Sequence, residues 1–379
     1  MTERRTLGLG LIGSGFMGRA HVLGFAAARY GLDLPLDVRL VCIADATPDL
    51  AEQARAEFRF ERATADWRAL IDDPEIDIID ITAPNAFHRE MALAALAAGK
   101  HVYCEKPLAP TSAETAEMAA AAARAGVKTQ VGFNYLANPM LRLARDMIAA
   151  GDLGEIYSYR GIHAEDYMAS EAAPWSWRHD PAGGGVLADL GSHALATAEF
   201  LLGPIATIAA QTETVIPERR DAGGAARAVE VDDIARLLVR FASGATGSLE
   251  ANWLATGRKM QHDFEVYGSN GALVFTQERF NELRYYDAAD REGRQGFRTI
   301  MAGPEHPPYG QICVAPGHQI GFNDLKAIEV AGFLTCIAGD GPEPFGFAAG
   351  HRIQALVDRA HASARQNSWQ AVWESTDAC

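Results

Sequence analysis

Three stretches of the chain gather residue types that can do chemistry. The first is Gly13-Ser14-Gly15-Phe16-Met17-Gly18. After an apolar strand and at the head of a helix, such a run suits a dinucleotide. Gly13 permits the tight turn, Gly15 lets the backbone approach a pyrophosphate, and Gly18 lets helix pack close on strand. The amides that open the helix would hold the phosphates. Asp45 ends the next expected strand, where a carboxylate accepts from ribose hydroxyls and repels a 2′-phosphate. It lies beyond the usual spacing of about 20 residues; the Gly31–Asp37 stretch accounts for the excess. Ala46 and Thr47 follow it rather than an arginine, so NAD is favoured over NADP. The same side chain could instead cap the helix that begins near Pro48.

The second stretch runs from Thr82-Ala83-Pro84-Asn85-Ala86-Phe87-His88 to Cys104-Glu105-Lys106-Pro107. Both segments follow expected parallel strands, at the edge where open α/β sheets bind ligands. A lysine fixed between strand end and proline can hydrogen-bond a substrate hydroxyl and stabilise a developing alkoxide. Alone, Lys106 would read as a solvated charge. The third stretch is Gly183-Gly184-Gly185-Val186-Leu187-Ala188-Asp189-Leu190-Gly191-Ser192-His193. A separation of four puts Asp189 and His193 on one face of a helical turn. His193 could take the hydroxyl proton as hydride leaves an alcohol carbon, and Asp189 could orient and tune it. The alternative is a capping Asp and a core His. No third or fourth ligand stands at recognisable spacing, so no metal is expected.

Elements that could position these groups follow from periodicity. Strands are expected at Leu7–Ile12, Arg39–Ala44, Ile76–Ile81, His101–Cys104 and Lys128–Val131, alternating with alanine-rich helices. That alternation predicts βαβ units and a parallel sheet. After about residue 150 the pattern changes. Ala164–Gly185 reads as a loop, Asp189–Leu202 as a helix, and Ile205–Tyr286 as strands with turns at Ser243-Gly244 and Ser269-Asn270-Gly271. Residues 217–228 read as an exposed loop, and helices are expected near Asp324–Ala338 and Gly350–Ala364. The fold class is therefore an α/β Rossmann domain over residues 1–130, then an α+β domain over 131–379 with a large, mostly antiparallel sheet.

The chain has 379 residues, enough for two domains of about 150 each. Its net charge of −15 and isoelectric point of about 5.2 exclude phosphate backbones and anionic membrane faces as partners. Cys42, Cys104, Cys313, Cys336 and Cys379 are scattered, which fits neither a disulfide framework nor a zinc knuckle. With no signal peptide and no apolar run of about 18 residues, a cytoplasmic protein is expected.

The three stretches, in this order, resemble those of the Gfo/Idh/MocA family, which includes glucose–fructose oxidoreductases and inositol dehydrogenases. The resemblance covers nearly the whole chain. It implies Lys106, Asp189 and His193 as the catalytic group, with His193 as acid or base, Lys106 on the reacting oxygen, and Asp189 holding His193 or a substrate hydroxyl. It implies contacts to NAD from Phe16 and Met17, and from Ala83, Pro84, Asn85 and His88, with Glu105 near the ribose. Many relatives carry an Asp where Ala196 stands, and an Arg and an aromatic where Leu136 and Ala137 stand. Specificity is expected from the loop Glu165–Asp180, with Tyr167, Trp175, Trp177, Arg178 and His179, and from Asn134 and Tyr135. By family likeness a homodimer or homotetramer is expected, with Leu237-Leu238-Val239 and Leu249–Trp253 as its apolar surface. The implied activity is NAD-dependent oxidation of a secondary alcohol on a cyclic polyol or sugar, or its reverse. A glycosidase with transient sugar oxidation and a non-catalytic NAD sensor are the alternatives.

Overall fold

The computed structural model describes residues 4–339, 341 and 345–372; Met1 and Cys379 lie outside them. The chain starts with β1 (Thr6–Ile12), α1 (Phe16–Gly31), β2 (Asp37–Ala44), α2 (Pro48–Phe58), β3 (Arg62–Thr64), α3 (Arg68–Ile71), β4 (Ile78–Ile81), α4 (Asn85–Ala97), β5 (His101–Cys104), α5 (Ser112–Ala125) and β6 (Thr129–Val131). The six strands form one parallel sheet in the order β3-β2-β1-β4-β5-β6. Every residue of β4 is buried, as expected of a parallel strand covered on both faces. The strand order reverses between β1 and β4, which opens a ligand crevice at their carboxyl ends.

The next elements are α6 (Pro139–Ala150), β7 (Ile156–Ala164), α7 (Ser192–Leu202), β8 (Ile205–Glu213), β9 (Glu218–Arg220), β10 (Ala226–Ala228), β11 (Ile234–Phe241), β12 (Thr246–Asn252), β13 (Gln261–Gly268), β14 (Gly271–Thr276), β15 (Glu282–Asp287) and β16 (Arg298–Met301). They are followed by α8 (Tyr309–Ile312), α9 (Phe322–Ala338), α10 (Phe347–Gln366) and β17 (Gln370–Ala371). Nine of these strands build a sheet in the order β16-β15-β14-β13-β7-β12-β11-β8-β17. Its pairs are antiparallel except β12 with β7.

Two compact units result. One holds residues 1–137, 310–314 and 320–352; the other holds 138–309, 315–319 and 353–379. The return of α9 to the first unit has a local cause. A Cβ on Gly24 of α1 would come 2.8 Å from Lys326 Cγ, so the glycine makes room for that side chain.

Two expectations are corrected. Residues 217–228 are not a loop: β9 and β10 form a hairpin, and Arg219 within it is 1% exposed. Its guanidinium donates to the carbonyls of Met168 (2.7 Å), Ser170 (2.8 Å) and Ala173 (3.2 Å), tying down the segment that precedes the third stretch. Nor do the strand segments named for an apolar surface supply one. The period of two turns Leu237, Val239, Leu249, Ala251 and Trp253 inward and leaves Leu238 outside. Beside Leu238, Arg236 pairs with Glu250 and Glu213. Among the described residues no helix is long and apolar enough to cross a membrane.

Arg219→Met would leave three backbone carbonyls without their donor. It should destabilise the protein by about 2–4 kcal/mol and expose residues 168–180 to protease. Urea denaturation with limited proteolysis checks this; a cleavage pattern like wild type would refute the anchoring role.

Candidate active site

In the first unit the groups of the first two stretches gather at the carboxyl ends of β1, β2, β4 and β5. Gly13 has φ +99°, a conformation side chains rarely adopt, and its amide donates to Ala44 O at 2.9 Å. A Cβ on Gly18 would lie 2.3 Å from Gly13 O, so helix and turn close only on glycine there. A Cβ on Gly15 would meet nothing within 4 Å. Gly15 also begins α1 without a side-chain cap. Open space over uncapped helix amides is the geometry a pyrophosphate needs, so these residues fit a dinucleotide. Phe16 is strongly exposed beside them and Met17 half-buried.

Asp45 Oδ2 accepts from the Ser14 amide (2.8 Å) and hydroxyl, and Oδ1 accepts from the Ala46 amide. Thr47, not Asp45, caps α2 through Leu50 N. The carboxylate is thus fastened to the glycine turn at the carboxyl end of β2. Pro84 precedes α4, Asn85 is buried as its first residue, and Ala83 is partly covered. His88 is fully buried, with Nε2 2.7 Å from Ala83 O and Nδ1 3.1 Å from Pro107 O. Burial lowers its pKa. The ring therefore braces the loop after β4 against the loop after β5.

Glu105 is 4% exposed and lies in a network the sequence reading missed. Its Oε1 accepts from His21 Nε2 (2.8 Å) and Lys326 Nζ (3.1 Å), and its Oε2 from the Lys106 amide (3.1 Å). His21 Nδ1 also meets Asp80 Oδ1 at 2.8 Å. Lys326 donates to Glu329 (2.8 Å) and Tyr103 (3.0 Å), whose hydroxyl donates to Glu329. Burial alone would raise the Glu105 carboxyl, yet Lys326 and His21 hold it well below the usual carboxylate range. Burial lowers His21 most, but Asp80 and Glu105 together outweigh it and the net shift is upward. Lys326 is likewise raised, by Glu329 and Glu105 against burial. Two cations and three carboxyls thus interlock beside the backbone that carries Lys106. Asn134 and Tyr135 are also buried in this unit, Tyr135 with its ring edge towards Phe322 and Asn134 with an Nδ2 that meets no acceptor.

In the second unit the third stretch departs from a plain helix. Leu187–Gly191 forms one π-helical turn before α7. The expected regular i,i+4 turn is therefore widened where Asp189 sits, as π turns often are near sites. Asp232 fixes the entry, its Oδ2 accepting from Leu187 N at 2.8 Å. Asp189 Oδ2 accepts from the Tyr167 hydroxyl (2.8 Å) and Arg178 Nε (3.1 Å). Burial and Asp189 together push the Tyr167 hydroxyl pKa up, so it stays a donor. Arg178 lies over the Trp177 ring at 4.6 Å. Tyr167, Trp177, Arg178 and Asp189 are thus brought together. Trp175 and His179 serve the loop itself: Trp175 Nε1 donates to Ala228 O, and His179 is buried against Trp253.

His193 is buried among two further imidazoles missed from sequence. The His163 ring lies 5.5 Å and the His262 ring 6.3 Å from it, centroid to centroid. Both belong to β-strands, where a histidine at an inward position does not stand out from the alternating pattern. Asp80, by contrast, was findable: a carboxylate inside Ile-Ile-Asp-Ile demands a buried partner.

A glycine turn fit for a dinucleotide, on a Rossmann sheet followed by a large antiparallel sheet, defines an NAD-dependent oxidoreductase. Residues 7–133 match the profile described as "Oxidoreductase family, NAD-binding Rossmann fold", and residues 141–274 match the GFO/IDH/MocA C-terminal domain. Levoglucosan dehydrogenase of Pseudarthrobacter phenanthrenivorans is 41% identical over 96% of this chain and 98% of its own. A solved structure of levoglucosan dehydrogenase with NADH and levoglucosan superposes with a TM-score of 0.94 at 40% identity, over 97% of this chain and 100% of that one. D-apiose dehydrogenase of Paraburkholderia graminis is 26% identical over 94% of this chain and 87% of its own. The chain belongs to the GFO/IDH/MocA oxidoreductase family.

Two outcomes test the buried network. Lys326→Met should destabilise the protein by about 3–5 kcal/mol, because Glu105 and Glu329 lose their buried cation; a urea midpoint near wild type would refute it. His21 has a folded pKa above its unfolded value of about 6.5. Its contribution is full below that value and is lost as pH rises through the folded one. The stability gap between wild type and His21→Gln should therefore be wider at pH 5.5 than at pH 9, and a gap that widens with pH would contradict the charge assignment.

Proposed function

We propose that the protein is an NAD-dependent sugar dehydrogenase that oxidises one secondary alcohol of a cyclic sugar of the levoglucosan type. The observation that carries this reading is the cluster of Tyr167, Asp189, Arg178 and Trp177. It offers an apolar ring and fixed hydrogen-bonding groups, the combination that recognises a sugar. Relatives alike over their full length act on such compounds by name.

When bound, NAD supplies the hydride acceptor. His193 takes the hydroxyl proton of the substrate. Lys106, held by its backbone to Glu105, donates to the reacting oxygen and stabilises the charge that develops on it. Asp189, fixed by Tyr167 and Arg178, accepts from a neighbouring hydroxyl of the sugar. Gly13, Gly15, Gly18 and Asp45 hold the dinucleotide, and Asp45 disfavours a 2′-phosphate. The protein acts in the cytoplasm as a homodimer or homotetramer. Buried thiols at Cys42, Cys104, Cys313 and Cys336 support a reducing compartment, and family likeness supports the assembly.

The purified protein should form NADH, read at about 340 nm, from levoglucosan or another anhydrosugar with NAD in preference to NADP. His193→Ala should lose about 10²–10⁴-fold in kcat. Near-normal turnover would remove His193 from the mechanism. Cleavage of a glycoside without net NADH would replace the dehydrogenase with the glycosidase reading.

A further inference from the structure

The chemistry proposed above leaves a proton on His193, and that side chain is almost closed to solvent. We propose that the proton leaves through His163 to Glu165, a relay at the carboxyl end of β7. This rests on the reading of His193 as the base.

The line is drawn by position. The His163 and His193 rings are 5.5 Å apart at their centroids and tilted by 54°. A hydrogen bond closes such a gap directly after a small ring rotation, or through one water. On its far side His163 Nε2 lies 3.1 Å from Glu165 Oε1. An ionised carboxylate only accepts, so Nε2 carries the hydrogen. The His163 side chain is 1% exposed and that of Glu165 16%, so the carboxylate is the first group along the line to meet water.

The third ring supplies the direction. His262 packs 4.7 Å from His163. Burial, with His163 beside it, holds its pKa well below the ordinary value, and its Nε2 lies 2.9 Å from the Thr197 hydroxyl. A ring that resists protonation is no exit, so the path runs to Glu165.

The step balances. The hydride of the alcohol carbon goes to NAD, and the hydroxyl proton goes to His193. His193 passes a proton to the near nitrogen of His163, and His163 releases its Nε2 hydrogen to Glu165. Glu165 yields it to water, and the His163 ring resets its tautomer. One proton leaves per turnover, and neither His163 nor Glu165 touches the reacting atoms. Both are relay residues.

The test uses the full chain with saturating NAD and the sugar that wild type oxidises. His163→Gln and Glu165→Gln should each lower kcat by about 10–100-fold with KM within about threefold of wild type. The solvent deuterium isotope effect on kcat should rise in both, and added imidazole should restore turnover to His163→Gln while leaving wild type unchanged. Unchanged kcat and isotope effect in Glu165→Gln would overturn the relay, and so would a loss in His163→Gln that imidazole does not relieve. If His163→Gln fails to fold, Glu165→Gln decides alone, since its side chain lies at the edge of the core. A wild type that forms no NADH from any sugar fails the function itself and takes the relay with it, so the two failures differ in the first measurement made.

Discussion

A carboxylate that is buried and ionised is the constraint around which the first unit is arranged. Glu105 cannot keep its charge away from water unless cations reach it, and the two that do come from distant chain positions: His21 on α1 and Lys326 on α9. Meeting that demand fixes where both helices lie against the strand end of β5. It also spends the acidic side chain of the Glu105-Lys106-Pro107 segment on structure. The second oxygen of Glu105 also accepts from the amide of Lys106. The backbone that carries Lys106 is consequently as rigid as the charge network below it.

The second unit solves a different problem, that of a long segment without regular structure. Between β7 and α7 the chain makes only short 3₁₀ turns and the π turn. Its order comes from Arg219 reaching in to three carbonyls, Asp232 accepting from the Leu187 amide, and the segment's own Trp175 donating to Ala228 O. These fix Tyr167, Arg178 and Asp189 in one hydrogen-bonded set without a helix or strand beneath each. Binding groups carried on a braced loop can diverge from one relative to another while the sheet stays the same.

Much of this was legible in the sequence for stated reasons. Continuous apolar runs such as Leu7–Ile12 and His101–Cys104 identified the parallel strands, and glycine positions identified the turn before α1, because local physics determines both. The hairpin at 217–228 was missed because its residues are small and polar and its order depends on Arg219 finding carbonyls some 50 residues away, a tertiary fact. The π turn was missed because a separation of four says nothing about an extra residue in the turn. Lys326 stands on an apolar helix with nothing local to mark it, and its partner Glu105 is 221 positions earlier. Residues whose role is set by nearby chain could be read; residues whose role is to balance a charge across the fold could not.

The distance between Glu105 and Lys326 also has a consequence in time. As the chain leaves the ribosome, His21, Asp80, Tyr103 and Glu105 emerge long before the lysine that neutralises them. At about 5–20 residues per second the gap of 221 residues lasts on the order of ten to forty seconds. Through that interval the parallel sheet is present in sequence but its interior holds more negative than positive charge. The Rossmann unit is therefore the first to be synthesised and among the last to be completed. Its closure waits for the second unit to be made, and α9 acts as the late-arriving clasp of a fold that began three hundred residues earlier.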